Sequence, residues 1–275
     1  MAKEKVIISA ALTGAITPKE LNPNIPLTPE EIANDAYECW KAGAAVVHLH
    51  MRDEEGLGTM NKELFKKTVE LIKSKCDVVI NCTTSGDHRA SDDDRMAHLP
   101  YVKPEMASFD VGTFNWLPQV VFMNTPEFLH KLGKTMIEND VKPEIEIFDL
   151  GQMNAAEFFI KKGALNAPAH FQFVLGVPGA AQATVENLVY LVNQLPEGST
   201  WSALGVGRGH LPILFAAIAL GGNVRVGLED NVYFSKGRLA SNVELIARAA
   251  DAIRLADKEV ATPDEARQIL GLKRV

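Results

Sequence analysis

The chain has 275 residues, of which 47% are hydrophobic, and its formal net charge is −7. This length allows a large core, and the acidic balance argues against nucleic acid as a partner, because phosphate backbones are bound by clustered Lys and Arg. The longest apolar stretch, residues 211–220, is too short to cross a membrane, and no signal peptide is expected. The three cysteines lack metal-type spacing, which favours free thiols and a cytoplasmic location.

Strand and helix patterns alternate eight times along the chain. Apolar and β-branched runs predict strands at residues 6–11, 44–50, 77–82, 106–111, 144–148, 170–175, 200–204 and 224–228. Thr28, Pro29 and Glu31 have the spacing that begins a helix, and Gly43 ends it. Further helical patterns cover residues 62–75, 92–99, 125–139, 154–162, 183–194, 211–220 and 240–255, and an extra short helix is predicted at 263–270.

Eight β/α units with no linker between them predict one (β/α)8 TIM barrel. The barrel would take up residues 1–275 as a single domain, with the short extra helix at its C-terminal end. A doubly wound open sheet is the alternative fold. The segment after the first strand, residues 12–17 (LTGAIT), lacks the glycine fingerprint of a dinucleotide-binding turn.

Two histidines end the second predicted strand. His48 and His50 are two residues apart, so on a strand their side chains share a face and their Cα atoms are roughly 6.6 Å apart. Closure of the barrel would bring Glu229, after the eighth strand, to within about 10 Å of this strand. Two imidazoles and a carboxylate form an open site that suits zinc, with iron or manganese as alternatives.

The eighth strand carries further polar residues. Arg225 and Glu229 share a strand face, and Gly227 between them is expected to leave room for a substrate. Asp230 has the opposite parity, so it faces the site only if the strand ends near Glu229. Beside Arg225 and a metal, this aspartate would stay ionised and could act as a base towards a carbon acid.

Two turns at strand ends are candidates for ligand contact. The turn at residues 83–86 (TTSG) is either a substrate contact, through Thr84 and Gly86, or a simple turn. The turn at residues 207–210 (GRGH) precedes a helix, so its amides could bind a phosphate or a carboxylate. Close helix packing is the alternative explanation for its glycines.

The combined motifs resemble the β-keto acid cleavage enzymes over essentially the whole chain. The resemblance is carried by residues 47–53 (VHLHMRD), the TTSG turn and residues 225–231 (RVGLEDN). It implies a zinc-bearing (β/α)8 barrel that forms a homotetramer. The implied activity is an acyl transfer in which a β-keto acid and acetyl-CoA give acetoacetate and a new acyl-CoA.

The resemblance also implies a role for each matching residue. The residues implied to bind the metal are His48, His50 and Glu229. The implied base is Asp230, with Arg225 as its partner, and the implied contacts to the keto acid are Thr84, Asp87 through its backbone, and Ser108.

Position 16 departs from the family pattern. Members that cleave an amino-substituted keto acid have an acidic residue at the position of Ile16, where it pairs with the substrate ammonium. An isoleucine cannot form that pair, and an unpaired ammonium beside it would be costly. We therefore predict that Ile16 contacts a β-keto acid whose distal group is neutral or apolar.

Three alternative functions remain at this point: a metal-dependent hydrolase, an aldolase-type lyase that acts on a small oxo acid, and a non-catalytic binder of a metal or a metabolite. Neither the hydrolase nor the lyase needs coenzyme A. Dependence on acetyl-CoA therefore separates them from acyl transfer, and a simple binder would need neither Asp230 nor Arg225.

Overall fold

Eight parallel strands close into a barrel in the computed structural model of the chain, which describes residues 3–118 and 120–273. In chain order, β1 to β8 are Ile8–Ala11, Val46–Leu49, Val79–Cys82, Met106–Asp110, Lys142–Ile147, His170–Leu175, Thr200–Gly205 and Asn223–Val226. Each strand pairs with the next one, and β8 pairs with β1, with Arg225 opposite Ser9. The barrel prediction is confirmed, because an open sheet would leave these two strands unpaired.

The helices lie on the outside of the barrel. In chain order, α1 to α10 are Pro29–Ala42, Lys62–Lys73, Asp92–Met96, His98–Val102, Pro126–Glu138, Gln152–Lys161, Val185–Val192, His210–Ala219, Asn242–Leu255 and Pro263–Leu270. The predicted start of α1 is confirmed by a capping box between Thr28 and Glu31, and Gly43 ends the helix in a left-handed conformation. The single helix predicted at residues 92–99 is instead two short helices, α3 and α4.

The extra helix α10 covers the N-terminal end of the barrel. Its Ala266 and Leu270 pack on a cluster formed by the first residues of the strands and by residues just before them, Ile7, Ala45, Val46, Val79 and Met106. Arg267 donates to Glu105 at 2.6 Å and to Asp77 at 2.8 Å. With this end of the barrel covered, ligands have access from the opposite end.

Three short hairpins that the sequence patterns did not predict follow β2, β4 and β8. They pair Met51–Arg52 with Gly58–Thr59, Phe114–Trp116 with Val120–Phe122, and Tyr233–Ser235 with Arg238–Leu239. All three therefore lie at the C-terminal end of the barrel, where an active site is expected.

The lengths of the helices and the state of the cysteines bear on the predictions about membranes and disulfides. Within residues 3–118 and 120–273, no helix is long and apolar enough to pass through a bilayer. Cys39, Cys76 and Cys82 are all free and buried.

Candidate active site

The structure brings the predicted metal ligands together. His48 lies near the end of β2 and His50 follows the strand, and their ring centroids are 5.1 Å apart. Oε1 of Glu229 is 3.7 Å from Nε2 of His48 and 3.3 Å from Nε2 of His50. One ligand atom from each of the three residues lies within 4.8 Å of the others, close enough to share one ion.

Several polar atoms of this triad lack a partner in the protein. Oε2 of Glu229 and Nδ1 of both histidines are buried without a hydrogen bond. Burial also holds the pKa of His48 well below its ordinary value, so its ring is neutral, as a metal ligand must be. Two imidazoles and one carboxylate, each with a buried atom that has no hydrogen-bond partner, suit a divalent transition metal.

The loop after β1 forms a wall against Glu229. A Cβ on Gly14 would lie 2.8 Å from Cγ of Glu229, and Gly14 has a φ of +65°, so this position requires glycine. The buried Arg52 fixes the wall, because Nε donates to the Gly14 carbonyl at 2.6 Å and Nη2 donates to Thr17 at 2.9 Å. Arg52 also donates to the Gly56 carbonyl at 2.7 Å, which ties this loop to the hairpin after β2.

Arg225 lies at the centre of a carboxylate network. It binds Asp230 in a two-pronged pair, with both N–O distances at 3.0 Å. The same guanidinium donates to Glu229 at 2.5 Å and to Glu146 at 3.0 Å. Arg225 is buried, and this set of bonds places Asp230 directly beside the candidate metal ligands.

The end of β8 explains how Glu229 and Asp230 both reach the site. The strand ends at Val226, and the amide of Asn231 donates to the Gly227 carbonyl at 3.0 Å in a tight turn. Asp230 lies in this turn and not on the strand, so the alternation of side chains between the two faces of a strand does not decide where it points. The prediction that Gly227 leaves room for substrate is wrong, because a Cβ there would lie 2.0 Å from the Ala11 carbonyl oxygen of β1.

The two adjacent carboxylates have different electrostatic environments. Burial raises the pKa of Asp230 to about 6, against the opposing effect of Arg225. Burial also acts to raise the pKa of Glu229, but His50 and Arg225 together hold it well below its usual range. Glu229 therefore stays ionised as a ligand, while Asp230 can exchange a proton near neutral pH.

Thr84 and Ser108, two predicted substrate contacts, bond to each other. Thr84 donates its hydroxyl to the Ser108 carbonyl at 3.0 Å, and its amide donates to the Ser108 hydroxyl at 3.1 Å. Both side chains are buried and link the end of β3 to β4. The neighbouring Ser85 donates to Asp110 at 2.7 Å, so this turn is held by hydrogen bonds to β4.

The other predicted contacts are spread around the barrel mouth. Gly86 is close to His50, since a Cβ on it would lie 3.4 Å from Nδ1 of that ring. The Asp87 carboxylate pairs with Arg89 at 2.8 Å, which leaves its backbone as the group able to face a ligand. Ile16 is 68% exposed, in the loop that also contains Gly14.

Two carboxylates inside the barrel were not among the site residues predicted from the sequence. Glu144 and Glu146 lie on β5, and Glu144 accepts from Asn81 at 2.7 Å and lies 3.9 Å from Nδ1 of His48. His48, Glu144 and Glu146 form a second group whose ligand atoms are within 4.8 Å of one another. The signal was present, because two acids alternating on a buried strand share a face as His48 and His50 do.

Packing explains Gly209 in the turn at residues 207–210, whereas Gly207 has open space around its Cβ position and a φ of +56°. A Cβ on Gly209 would lie 2.2 Å from the Cβ of Ala183, and one on Gly205 would lie 2.2 Å from the Gly209 carbonyl oxygen. The amide of Gly207 donates to the Asp230 carbonyl at 3.2 Å. The turn is thus fastened to the residue beside the candidate metal ligands.

The chain is similar to known proteins over almost its whole length. A 3-keto-5-aminohexanoate cleavage enzyme of Fusobacterium nucleatum is 47% identical over 273 residues, covering 98% of this chain and 99% of the relative. A 3-dehydrocarnitine:acetyl-CoA trimethylamine transferase of Rhizobium meliloti is 35% identical over 290 residues, covering 98% and 97%. The fold matches the solved apo structure of ObcA with a TM-score of 0.82 at 22% identity, over 91% of this chain and 66% of that one.

The family comparison covers almost all of the chain. Residues 5–272 match the model of the beta-keto acid cleavage enzymes, and this range includes every residue of the site described above. The resemblance inferred from the sequence motifs is therefore confirmed, and the chain belongs to the β-keto acid cleavage enzyme family.

Proposed function

We propose that this chain is an acyltransferase that converts a β-keto acid and acetyl-CoA into acetoacetate and a new acyl-CoA. The observation that carries the proposal is the buried triad of His48, His50 and Glu229, with the Asp230–Arg225 pair directly beside it. This arrangement supplies donors for a metal and a carboxylate base at one place, as proton removal next to a carbonyl requires.

A divalent metal held by the triad would act as a Lewis acid towards the oxygens of the keto acid, and zinc is the metal that we propose. Asp230 removes a proton from C2 of the keto acid, and Arg225 holds the carboxylate in position through its two-pronged pair. The positive charge of Arg225 also stabilises the negative charge that develops nearby.

Asp230 completes the exchange by returning the proton. The C2 carbanion attacks the acetyl thioester and displaces the coenzyme A thiolate, which then adds to the original ketone carbon. The bond between that carbon and C2 breaks, which releases the new acyl-CoA, and C2 regains a proton from Asp230 to give acetoacetate. Every atom of the two substrates appears in the two products, and Asp230 ends as it began.

The distal group of the keto acid is a separate part of the proposal. Ile16 offers an exposed apolar side chain on the loop that forms the wall against Glu229. An apolar side chain favours a neutral or apolar acyl group over an ammonium. Thr84, Gly86, Asp87 and Ser108 are proposed to contact the keto acid.

We also propose a homotetramer in the cytoplasm. Exposed apolar side chains such as Phe215 and Tyr190, which are 52% and 49% exposed, support contact with further subunits. The free buried cysteines are compatible with a reducing compartment. Light scattering of the purified protein tests the subunit number.

The reaction is tested with a panel of β-keto acids and isotopically labelled acetyl-CoA, followed by mass spectrometry. Acyl transfer predicts labelled acetoacetate and an unlabelled acyl-CoA from the keto acid, whereas a lyase or hydrolase would consume keto acid without acetyl-CoA. We expect keto acids with neutral tails to react faster than amino-substituted ones. A clear preference for the amino substrate would contradict the part of the proposal that rests on Ile16.

Metal content is measured on the same preparation by elemental analysis. The expected result is about one divalent ion per chain, lost together with activity when His50 is replaced by Ala. Full activity in a metal-free preparation would contradict the role given to the triad.

A further inference from the structure

A group of cationic side chains lies at the rim of the barrel next to Asp230. It comes from the turn before α8, from the hairpin after β8 and from α9, and its members are Arg208, Lys236, Arg238 and Arg248. We call these four residues the rim cluster. The turn before α8 is fixed beside the site, because the amide of Gly207 donates to the Asp230 carbonyl.

Arg248 has hydrogen-bonding capacity left over. Its guanidinium lies over the Phe234 ring, 4.0 Å from the centroid, and donates to the Phe234 carbonyl at 2.6 Å. Another of its nitrogens is 3.2 Å from Nε2 of His210, which must be the acceptor because a guanidinium only donates. Nε of Arg248 is buried with no partner, and the described residues provide no carboxylate in an ion pair with Arg248.

The other members of the rim cluster add positive charge at the same place. Arg238 also lies over the Phe234 ring, at 4.4 Å, and pairs with Glu244. Arg208 and Lys236 are exposed, and neither forms a hydrogen bond or an ion pair within the described part of the chain. The rim cluster is therefore a local group of positive charges in a protein whose formal net charge is −7, and such a group attracts anions.

The start of α8 contributes to the same field. The helix has ten residues and begins at His210, and no side chain caps its first amides. The amides of Gly209 and His210 already donate to the carbonyls of Val206 and Gly207, so the attraction for an anion comes from the positive end of the helix dipole. In barrels of this fold, the loops after the seventh and eighth strands often hold a phosphate.

We propose that the rim cluster binds the phosphate groups of the coenzyme A thioester. This inference rests on the proposed function, in which acetyl-CoA reacts beside Asp230. The pantetheine arm separates the phosphates from the thioester, so the phosphates lie outside the mouth of the barrel, towards its rim, when the thioester is at the triad. Planar guanidinium groups suit phosphate oxygens, and the exposed Arg208 side chain has no ion-pair partner among the described residues.

The test compares acetyl-CoA with acetyl-pantetheine, a thioester that has the same reactive end but no phosphates. Arg248→Met and, separately, the exposed Arg208→Met are assayed with both thioesters. We expect each variant to raise the KM for acetyl-CoA about tenfold, the effect of losing one charge-assisted hydrogen bond. The KM for the keto acid and the rate with acetyl-pantetheine should stay at wild-type values.

Arg254→Met is the matched control. Arg254 lies on the same helix as Arg248 and is exposed, and it pairs with Asp251 rather than facing the rim. This variant loses the same charge and should keep the wild-type KM for acetyl-CoA. Circular dichroism shows whether each variant is folded. If Arg248→Met does not fold, Arg208→Met still tests the inference, because the Arg208 side chain is exposed.

The outcomes separate this inference from the proposed function. If the wild type uses both thioesters and the rim variants keep its KM for acetyl-CoA, the inference is wrong and the proposed function stands. Equal losses with acetyl-CoA and acetyl-pantetheine would also overturn the inference, because the arginines would then act on something other than phosphate. If the wild type transfers acyl groups from neither thioester, the proposed function itself has failed.

Discussion

At the scale of single residues, the site depends on a few side chains with opposite requirements. In the proposed reaction, Glu229 has to remain ionised as a metal ligand, whereas Asp230 next to it has to gain and lose a proton. Arg225 contacts both carboxylates, at 2.5 Å and 3.0 Å. The two residues are neighbours in the chain, so their difference comes from burial and from which cations each one faces.

Asp230→Asn should abolish proton removal while preserving the fold. The amide cannot act as a base, so we expect kcat to fall by about 10²- to 10⁴-fold. Exchange of the C2 hydrogen of the keto acid with deuterated water, followed by NMR without acetyl-CoA, measures the proton step alone. Asp251→Asn, an exposed aspartate on α9, is the control and should exchange at the wild-type rate. Wild-type exchange in Asp230→Asn would reject the assignment of the base.

Gly14→Ala should weaken metal binding. The new methyl group would lie 2.8 Å from Cγ of Glu229, and alanine tolerates the φ of +65° poorly, so Glu229 has to move. We expect the affinity for the metal to fall about 10- to 100-fold, measured by competition with a chelator. Gly151→Ala is the matched control, because a Cβ there meets nothing within 4 Å. Equal affinities in the two variants would show that the wall does not position Glu229.

At the scale of elements, buried polar side chains join segments that are far apart in the chain. Arg52 bonds to carbonyl oxygens of two different loops, and Asn242 at the start of α9 donates to the Leu12 carbonyl at 2.9 Å. These bonds satisfy backbone groups that would otherwise be buried and unpaired. One buried side chain on α4, His98, has no such partner for either ring nitrogen.

His98 should make the protein less stable in acid. It stacks on Phe65 at 4.3 Å, and burial lowers its pKa from 6.5 to about 3. Between these values the unfolded chain binds a proton that the folded chain does not, so the free energy of unfolding falls as the pH drops below 6.5.

His98→Phe keeps an aromatic ring and removes the titration. We expect the pH dependence of the free energy of unfolding between pH 6.5 and pH 3 to become shallower by up to about 1.4 kcal/mol per pH unit. Urea unfolding at several pH values measures this slope. The same slope in the variant and the wild type would mean that His98 does not titrate differently in the folded and unfolded chains.

At the scale of the whole molecule, the two ends of the barrel have separate tasks. The C-terminal end carries the triad, the Asp230–Arg225 pair and the rim cluster, whereas α10 packs over the N-terminal end. Arg267 on α10 pairs with Glu105 and Asp77, so charge at this end is compensated within the protein. Substitutions in α10 should therefore change stability and leave catalysis intact.

Leu270→Ala tests this separation. Leu270 is 3% exposed, and truncating a buried leucine should lower the free energy of unfolding by about 3 kcal/mol. Urea unfolding measures the loss, and kcat and KM should match those of the wild type. Leu255→Ala, at a leucine that is 88% exposed, is the control and should change neither property. If the Leu270→Ala variant is fully folded and its KM is raised, the two ends of the barrel are coupled.

The sequence by itself determined the eight β/α units, the capped start of α1 and the candidate metal ligands, because these depend on local periodicity and on neighbours two residues apart. It also pointed to the family, through motifs at strand ends. Only the tertiary structure showed that β8 stops at Val226, which lets Asp230 turn towards Arg225.

The surroundings of the site were also decided by tertiary structure. The contacts of Gly227 with β1, of Gly14 with Glu229 and of Glu144 with His48 join residues far apart in the chain. No periodicity encodes such contacts, because barrel closure determines which segments meet. The physical reason is the same in each case: local pattern sets the elements, and packing sets the distances between them.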